Sequence, residues 1–398
     1  MRYKHLSVAI PLLAELENLP NLIASLESQS YRNFDVYLCV NNPKSWSESD
    51  DEFEHGMYEN NMETLRRLDT MRDSLNFNLT IINSQWTGKQ KGVGYARKTL
   101  FDAIAETHDD NELIVSLDAD TDFDGHYFDE LISVFNATPD AYALAVPYYH
   151  PLCGEEALDR AMLRYEIYMR HYLISLLMID NPYAFTALGS AMVFPLKAYR
   201  SVGGITPLQG GEDFYLMQKF AKTGRILLDF NETVRPQGRP SRRVPFGTGP
   251  AIAKGMEVLD ESYPLYPHGG FKAVADTYAL FPRLYDGDIE TPMSSFLRKQ
   301  LKSDDLWSPL RKNFKTRPHF VHACTERVDG LRILQYLKTF PVRTAEEELQ
   351  FFCQVHHIDI QGEFNFATSS VSVINSIRNQ LFEVEKSLRH SHQDKNNH

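Results

Sequence analysis

A short apolar run that leads directly into three alternating aspartates is the feature that most constrains this 398-residue chain. The run at residues 113–117 has the length and composition of a buried strand. Asp118, Asp120 and Asp122 follow it in the segment ELIVSLDADTDFD. Open α/β sheets bind their ligands at the carboxyl ends of strands, so the segment predicts an α/β fold with an acidic site at one sheet edge.

The three aspartates also predict a divalent-cation site. Neighbouring carboxylates repel one another unless a cation lies among them. Ligand sets made only of oxygen suit Mg²⁺ or Mn²⁺, which also bind the phosphate groups of substrates. On this interpretation Asp118, Asp120 and Asp122 are the metal ligands. A solvated acidic turn after a strand is the alternative.

Alternating strand-like and helix-like segments up to residue 238 predict a mostly parallel sheet with helices on both faces. Strands are predicted at residues 6–10, 34–40, 78–82, 113–117 and 142–147, and helices at 18–29, 92–106 and 157–178. The acidic segment SWSESDDEFEHG predicts a solvated loop before a surface helix, or alternatively a lid. Patterns such as 328–337 and 371–388 predict a mainly helical C-terminal region. The predicted domains are residues 1–238 and 239–398.

Charge and hydrophobicity exclude several classes of protein. A formal net charge of −12 argues against broad electrostatic binding to nucleic acid or to an anionic membrane. No apolar run reaches the ~18–20 residues of a membrane span. Pro11 and Glu15 interrupt the N-terminal apolar stretch too early for a signal peptide. We therefore expect a cytoplasmic protein without a transmembrane segment.

The four cysteines lie far apart and include no CxxC pair, which predicts reduced thiols. One group of histidines and cysteines in the C-terminal region is a candidate zinc site, although its spacing matches no standard zinc signature: His322, Cys324, Cys353, His356 and His357. Scattered core and surface residues are the preferred interpretation of this group.

A basic, glycine-containing turn precedes the helix predicted at 92–106. Its sequence, GKQKGVG, contains Lys89 and Lys91, and Arg97 follows on the helix. A helix N-terminus with cations nearby favours an anion such as a diphosphate. The spacing does not match the GxxxxGK[ST] pattern, which argues against a phosphate-loop NTPase.

A second acidic pair, Glu212 and Asp213, stands at the start of a predicted helix in GGEDFYLMQKFAKTG. A carboxylate at this position is suited to act as a general base for a sugar hydroxyl. Stabilisation of the helix N-terminus by the same two acids is the alternative. The small-residue loop TALGS at 186–190 is suited to line a substrate pocket.

Taken in order, these segments resemble the family 2 glycosyltransferases with the GT-A fold, a Rossmann-like mixed sheet. IPLLAELENLPNLIASLESQSYRNFDVYLCVNN resembles the opening strand, helix and strand, and GVGYARKTL resembles the next helix entry. LDADTD resembles the DxD segment, and GSAMVFPLKAYRSVGGI with GGEDFYLMQKFAKTGRI resembles the acceptor loop and the ED helix. The resemblance covers roughly residues 5–240.

The resemblance implies which residues surround a nucleotide-diphosphate sugar donor. Pro11, Glu15 and Asn41 would lie around the nucleoside. Arg97 would lie near the diphosphate or organise that wall of the site, and Lys91 in the basic turn is a further diphosphate ligand. Where the family has a Tyr-Asn-like pair and an aspartate, this chain has LL after the first proline and NN after the second strand.

The resemblance also implies the chemical roles. Asp118 would touch the ribose or a metal-bound water, and Asp120 would bind the metal. Asp213, beside Glu212, would be the catalytic base. The implied activity is a metal-dependent hexosyl transfer to a hydroxyl of a glycan, a lipid-linked sugar or a small molecule, with inversion. A retaining enzyme of the mannosylglycerate-synthase type and a catalytically silent nucleotide-sugar-binding protein are the alternatives.

Several relatives supply a metal-binding His after the ED helix, and the corresponding stretch here, TVRPQGRPSRR, has none. Four arginines occupy the segment 235–249, which its prolines and glycines predict to be a loop. Guanidinium groups suit diphosphate oxygens, so Arg242 and Arg243 are predicted donor contacts that compensate for the missing His. A basic linker at the domain boundary is the alternative.

Overall fold

A computed structural model describes residues 1–87, 92–240, 247–258, 263–341, 343–359 and 364–395. The chain divides into two compact units. The first unit comprises Met1–Met162 and Phe185–Glu257, and the second comprises Leu163–Ala184 and the described residues after Glu257.

A seven-stranded mixed sheet forms the centre of the first unit. Its strands are β1 (Leu6–Leu12), β2 (Phe34–Pro43), β3 (Asn78–Trp86), β4 (Leu113–Ser116), β6 (Ala143–Ala145), β7 (Met192–Pro195) and β8 (Ile226–Leu227). They lie in the order β3-β2-β1-β4-β7-β6-β8. The first four strands are parallel to one another, whereas β7 is antiparallel to both β4 and β6. The predicted α/β class is confirmed.

Burial on both faces explains the continuous apolar runs of the central strands. Every residue of β4 and β7 is buried, and so is all of β1 except Pro11. Because β1, β2 and β4 are parallel, their carboxyl ends meet at one edge of the sheet. β2 and β3 run further than predicted, since their pairing continues to Pro43 and Trp86.

Helices flank the sheet strands along the chain of the first unit: α1 (Leu19–Glu27), α2 (Glu52–Met71), α3 (Val93–Thr107), α4 (Tyr127–Ala137), α6 (Leu196–Ser201), α7 (Glu212–Thr223) and α8 (Thr248–Glu257). The predicted acidic loop is wrong in part, because α2 begins inside it. Asp51 Oδ1 accepts hydrogen bonds from Phe53 N at 2.9 Å and Glu54 N at 3.1 Å. These bonds satisfy free N–H groups of the first turn and start the helix early.

A small antiparallel pair of strands, β5 (Thr121–Asp122) and β9 (Arg235–Pro236), lies outside the main sheet. Gln237 N extends the pairing by donating to Asp120 O at 3.1 Å. The basic segment was predicted to be a loop throughout, and this is wrong at both described ends. Arg235 and Pro236 are in a strand, and α8 begins at Thr248. The pairing places Arg235 and Pro236 beside Asp122 and Thr121.

The second unit is helical in its described residues, which confirms the predicted character of the C-terminal region. Its helices are the later part of α5 (Glu156–Met178), α9 (His268–Leu284), α10 (Ser294–Leu301), α11 (Ser308–Asn313), α12 (Arg317–Arg327), α13 (Gly330–Leu337), α14 (Ala345–Val355) and α15 (Val371–Lys395). Across the described ranges, no helix combines the length and apolarity that a membrane span requires.

The units divide after Glu257 rather than after residue 238 as predicted. A Cβ placed on Gly238 would lie 2.6 Å from Met162 Cγ and 3.5 Å from Ile252 Cδ1. The backbone at Gly238 therefore packs closely against residues of α5 and α8 that belong to the first unit. Nothing in the local sequence marks this packing, because Pro and Gly at 236–240 resemble an interdomain linker.

A fully buried ion-pair network ties α5 to α15 within the second unit. Arg170 Nη1 donates to Glu385 Oε2 at 2.7 Å and Arg170 Nε to Glu166 Oε1 at 3.0 Å. Arg378 Nη1 contacts Glu166 Oε2 at 3.1 Å, and Arg389 Nε donates to Glu385 Oε1 at 2.8 Å. These buried charges hold the last helix in a fixed register, since each carboxylate bridges two guanidinium groups.

Candidate active site

Arg97 joins the two acidic segments that the sequence singled out. Its side chain is 4% exposed and extends from α3 to the carboxyl end of β4, where Nη2 donates to Asp118 Oδ1 at 2.6 Å. Nη1 of the same guanidinium donates to Glu212 Oε1 at the start of α7. Asp118 and Glu212, which belong to distant segments of the sequence, therefore share one buried cation.

Gly189 makes the position of Arg97 possible. A Cβ on Gly189 would lie 1.9 Å from Arg97 Nη2 and 2.2 Å from its Cζ, so any larger residue would displace the guanidinium. Ser116 Oγ holds the same loop in place by donating to Gly189 O at 2.7 Å. The TALGS loop thus packs against Arg97, and Gly189 leaves the space that the guanidinium occupies.

Asp213 lies next to this ion pair without being part of it. Its Oδ1 accepts a hydrogen bond from Phe214 N at 2.7 Å. Burial, followed by the nearby Glu212 carboxylate, raises the pKa of Asp213 to about 7, although Arg97 opposes the shift. A carboxylate with such a pKa is poised to accept a proton near neutral pH. Glu212, in contrast, is buried and committed to Arg97.

A second guanidinium binds the next aspartate along the chain. Arg239 Nε donates to Asp120 Oδ2 at 3.0 Å, and Arg239 Nη2 donates to Glu15 Oε1. Asn18 Nδ2 also donates to Glu15, at 2.7 Å to Oε2. The side chains of Asp120 and Glu15 are 15% and 8% exposed. The structure therefore brings Glu15, after β1, to Asp120, after β4, through Arg239.

Asp122, the third predicted metal ligand, lies apart from this group. Its side chain is 67% exposed, and its nearest described cation is Arg235 Nη1 at 3.8 Å. Ser25 Oγ lies 3.4 Å from Asp122 Oδ1. Because Asp122 belongs to β5 and pairs with Arg235 in β9, the chain turns its carboxylate towards α1 and the basic segment.

The predicted nucleoside wall is a network of buried amides. Asn61 Nδ2, from α2, donates to Asn41 O at 2.9 Å and to Asn42 Oδ1 at 2.8 Å. Trp86 Nε1 donates to Asn41 Oδ1. Asn61 Oδ1 accepts from Ala14 N at 2.8 Å, which links the ends of β1 and β2. Pro11 lies inside β1, opposite Cys39 of β2.

The glycines before α3 serve packing in the described part of the turn. A Cβ on Gly94 would lie 2.1 Å from Leu208 O, and one on Gly92 would lie 3.1 Å from Gln209 Cα. Gly92 also has a φ of +99°, which favours glycine. Close approach of the 208–209 backbone therefore explains these two glycines. The predicted donor contacts Lys91, Arg242 and Arg243 lie outside the described residues.

The carboxylate oxygens that follow β4 suit a divalent cation of the Mg²⁺ or Mn²⁺ type. The acidic cluster of described residues comprises Asp118, Glu212 and Asp213 around Arg97, and Glu15 and Asp120 around Arg239. At Arg97, three carboxylates face one guanidinium group. This imbalance is reduced when a cation binds, and the two half-open carboxylates Asp118 and Asp120 offer oxygen ligands of the kind that Mg²⁺ and Mn²⁺ prefer.

Three contributors to the site were missed by sequence reasoning. Asn61 follows the acidic segment, Gly189 lies in the loop predicted to line a pocket, and Arg239 is one of the four arginines among which Arg242 and Arg243 are the predicted contacts. A polar residue on the inner face of an amphipathic helix was the available signal for Asn61, since Met57, Thr64 and Leu68 of the same face are buried with it.

Comparisons with known proteins give structural likeness only. No protein-family model and no curated protein matches the sequence. A crystal structure of S. aureus TarS 1–349 in complex with UDP-GlcNAc is 12% identical, with 98% of this chain and 92% of that chain covered and a TM-score of 0.42. The mannosyltransferase PcManGT from Pyrobaculum calidifontis, in complex with GDP-Man and Mn²⁺, is 14% identical, with 81% and 86% covered and a TM-score of 0.37.

Proposed function

We propose that this chain is a metal-dependent glycosyltransferase that moves a sugar from a nucleotide-diphosphate sugar to a hydroxyl acceptor with inversion. The observation that carries the proposal is the meeting of Asp118, which follows β4, with Glu212 in the first turn of α7 around Arg97. One segment offers ligands for a cation and the other offers a base with a raised pKa. A sugar that moves from a phosphate oxygen to an acceptor oxygen uses both: the cation assists the departing diphosphate, and the base removes the proton of the attacking hydroxyl.

On the donor side, Asp120 is the principal metal ligand and Asp118 contributes its free oxygen. A Mn²⁺ or Mg²⁺ ion bound there would neutralise the diphosphate that departs as the leaving group. Arg97 fixes the orientation of Asp118 by holding one of its oxygens at 2.6 Å. Arg239 now holds Asp120, so a cation and Arg239 compete for that carboxylate. Displaced from Asp120, the guanidinium is suited to contact phosphate oxygens.

On the acceptor side, Asp213 accepts the proton of the attacking hydroxyl. Glu212 is not the base, because its carboxylate is buried and bound to the guanidinium of Arg97. Its role is to place the start of α7 and to raise the pKa of Asp213 by its charge. The free oxygen of Asp213 is available to the acceptor, since Phe214 N binds only Oδ1.

The substitution Asp120→Asn tests the donor side of the proposal. We expect calorimetric titration of UDP or GDP into the parent protein to give Mn²⁺-dependent binding. Asp120→Asn removes a charged ligand, so we expect the metal-dependent affinity to fall by at least about 10-fold, the lower end of the cost of losing even an outer-shell partner. Circular dichroism confirms that the fold is kept.

Asp122→Asn is the matched control, because it changes an exposed aspartate of the same segment that lies apart from the cluster. We expect its nucleotide affinity to equal that of the parent protein. If the parent protein and Asp120→Asn bind the nucleotide with equal metal-dependent affinity, Asp120 is not a metal ligand of the donor site. Nucleotide binding without any turnover of a nucleotide sugar would favour the silent binding protein instead.

A further inference from the structure

A second group of ligand-type side chains lies at the opposite edge of the sheet from the candidate active site. His5 directly precedes β1, Asp35 is the second residue of β2, and Glu112 directly precedes β4. His108 follows the last residue of α3. Because β1, β2 and β4 are parallel, their amino ends meet at one edge, where three of these residues lie beside His108.

Two imidazoles point their Nε2 atoms at the two oxygens of one carboxylate. His5 Nε2 lies 3.8 Å from Asp35 Oδ1, and His108 Nε2 lies 3.7 Å from Asp35 Oδ2. One ligand atom from each of the three residues lies within 4.8 Å of the others. These separations are too long for hydrogen bonds. The two distances to Asp35 are close to the spacing of about 3.3–3.5 Å between ligands that surround one tetrahedral Zn²⁺.

The outer contacts engage Nδ1 of each ring and leave Nε2 as the nitrogen that can bind a metal. His5 Nδ1 donates to Glu112 Oε1 at 2.8 Å, and Ser7 Oγ donates to the same oxygen at 2.6 Å. His108 Nδ1 lies 2.9 Å from Thr107 Oγ1. That hydroxyl lies 3.1 Å from Ala103 O and 3.3 Å from Ile104 O of its own helix, so it can donate its hydrogen there and accept from His108. A hydrogen bond at Nδ1 fixes the tautomer in which Nε2 binds metal.

Asp35 is held in place as well. Asn78 Nδ2 donates to Asp35 Oδ1 at 2.7 Å, across the pair β2 and β3. The His5 and His108 rings stack with centroids 5.5 Å apart. The three side chains are 27%, 21% and 18% exposed, which leaves one side of the group open to water. Three protein ligands with an open fourth position make a recognised zinc arrangement.

We propose that His5, Asp35 and His108 form a Zn²⁺ site with water as the fourth ligand and Glu112 as an outer-shell partner of His5. Imidazole ligands favour zinc over Mg²⁺ and Mn²⁺, which prefer oxygen. The ion would cross-link β1, β2 and α3 at their ends remote from the acidic cluster. Its effect is on stability, because it binds the folded arrangement of three distant segments. This inference is independent of the proposed transferase activity.

Zinc titration of the metal-free, tag-free protein tests the site. Excess Mg²⁺ is present throughout to occupy the oxygen-only donor site. We expect calorimetry to show one Zn²⁺ per chain and the melting temperature to rise with zinc. His108→Ala should abolish the binding, and Glu112→Gln should weaken it by about 10–100-fold, as expected for an outer-shell partner.

His55→Ala is the matched control, because His55 is an exposed histidine of α2 in the same unit and lies next to Glu59. It should bind zinc as the parent does. Absence of stoichiometric zinc binding by the parent protein would overturn the proposal without recourse to any variant. Equal zinc affinity of the parent and of a folded His108→Ala protein would also overturn it.

Discussion

Replacing Asp213 with Asn is expected to lower kcat by about 10²–10⁴-fold, the contribution typical of a general base. Asparagine keeps the shape of the side chain and its contact with Phe214 N but cannot accept the proton of the acceptor hydroxyl. Donor binding should persist, because the proposed metal ligands Asp118 and Asp120 follow β4 and are unchanged in this variant. Steady-state turnover and calorimetric nucleotide binding are measured on the same preparation.

The pH dependence of turnover gives a second test of the same residue. Burial and the Glu212 charge raise the pKa of Asp213 to about 7, so the carboxyl is protonated and inactive below that pH and ionised above it. Turnover of the parent protein should therefore rise through pH 7 and level off at higher pH. Asp213→Asn should lose this rise. An unchanged kcat, or a product that retains the anomeric configuration of the donor, would exclude Asp213 as the base.

The substitution Glu385→Ala should destabilise the second unit by about 3–5 kcal/mol. Glu385 is fully buried between Arg170, at 2.7 Å, and Arg389, at 2.8 Å. Removing its carboxylate leaves two buried guanidinium groups without that counter-charge. Urea unfolding followed by far-ultraviolet circular dichroism measures the loss.

Asp276→Ala is the control, since Asp276 forms an exposed ion pair with Lys272 on α9 of the same unit. Exposed pairs contribute at most about 1 kcal/mol, so its urea midpoint should stay close to that of the parent. A midpoint for Glu385→Ala that matches the control would show that the buried network does not hold α15 in place.

The aspartates after β4 could be predicted because all the signals that mark them are close together in the sequence. The apolar run, its termination and the aspartates that follow all fall within residues 112–124. The same holds for Glu212 and Asp213, which begin an amphipathic helix as predicted. Sequence order along an α/β chain then places strand ends at one edge, and this brought Glu15, Asn41 and Asp118 into the same region.

The partners of these residues were not predictable, because they come from pairings between distant segments. Arg239 reaches Asp120 only because β9 pairs with β5, two strands of two residues each that carry no periodic signal. Arg97 bridges Asp118 and Glu212 only because Gly189 leaves space for its guanidinium. The group of His5, Asp35 and His108 was unpredictable for the same reason. Its members meet only because β1 and β2 begin side by side near the end of α3.

Release of nucleotide from a panel of UDP- and GDP-sugars, with Mn²⁺ and a mixture of hydroxyl acceptors, tests the central claim most directly. We predict that at least one donor releases its nucleoside diphosphate, that chelation of the metal stops the release, and that Asp213→Asn slows it by about 10²–10⁴-fold. No release from any donor, or release at equal rates from the parent protein and Asp213→Asn, would contradict the proposed glycosyl transfer.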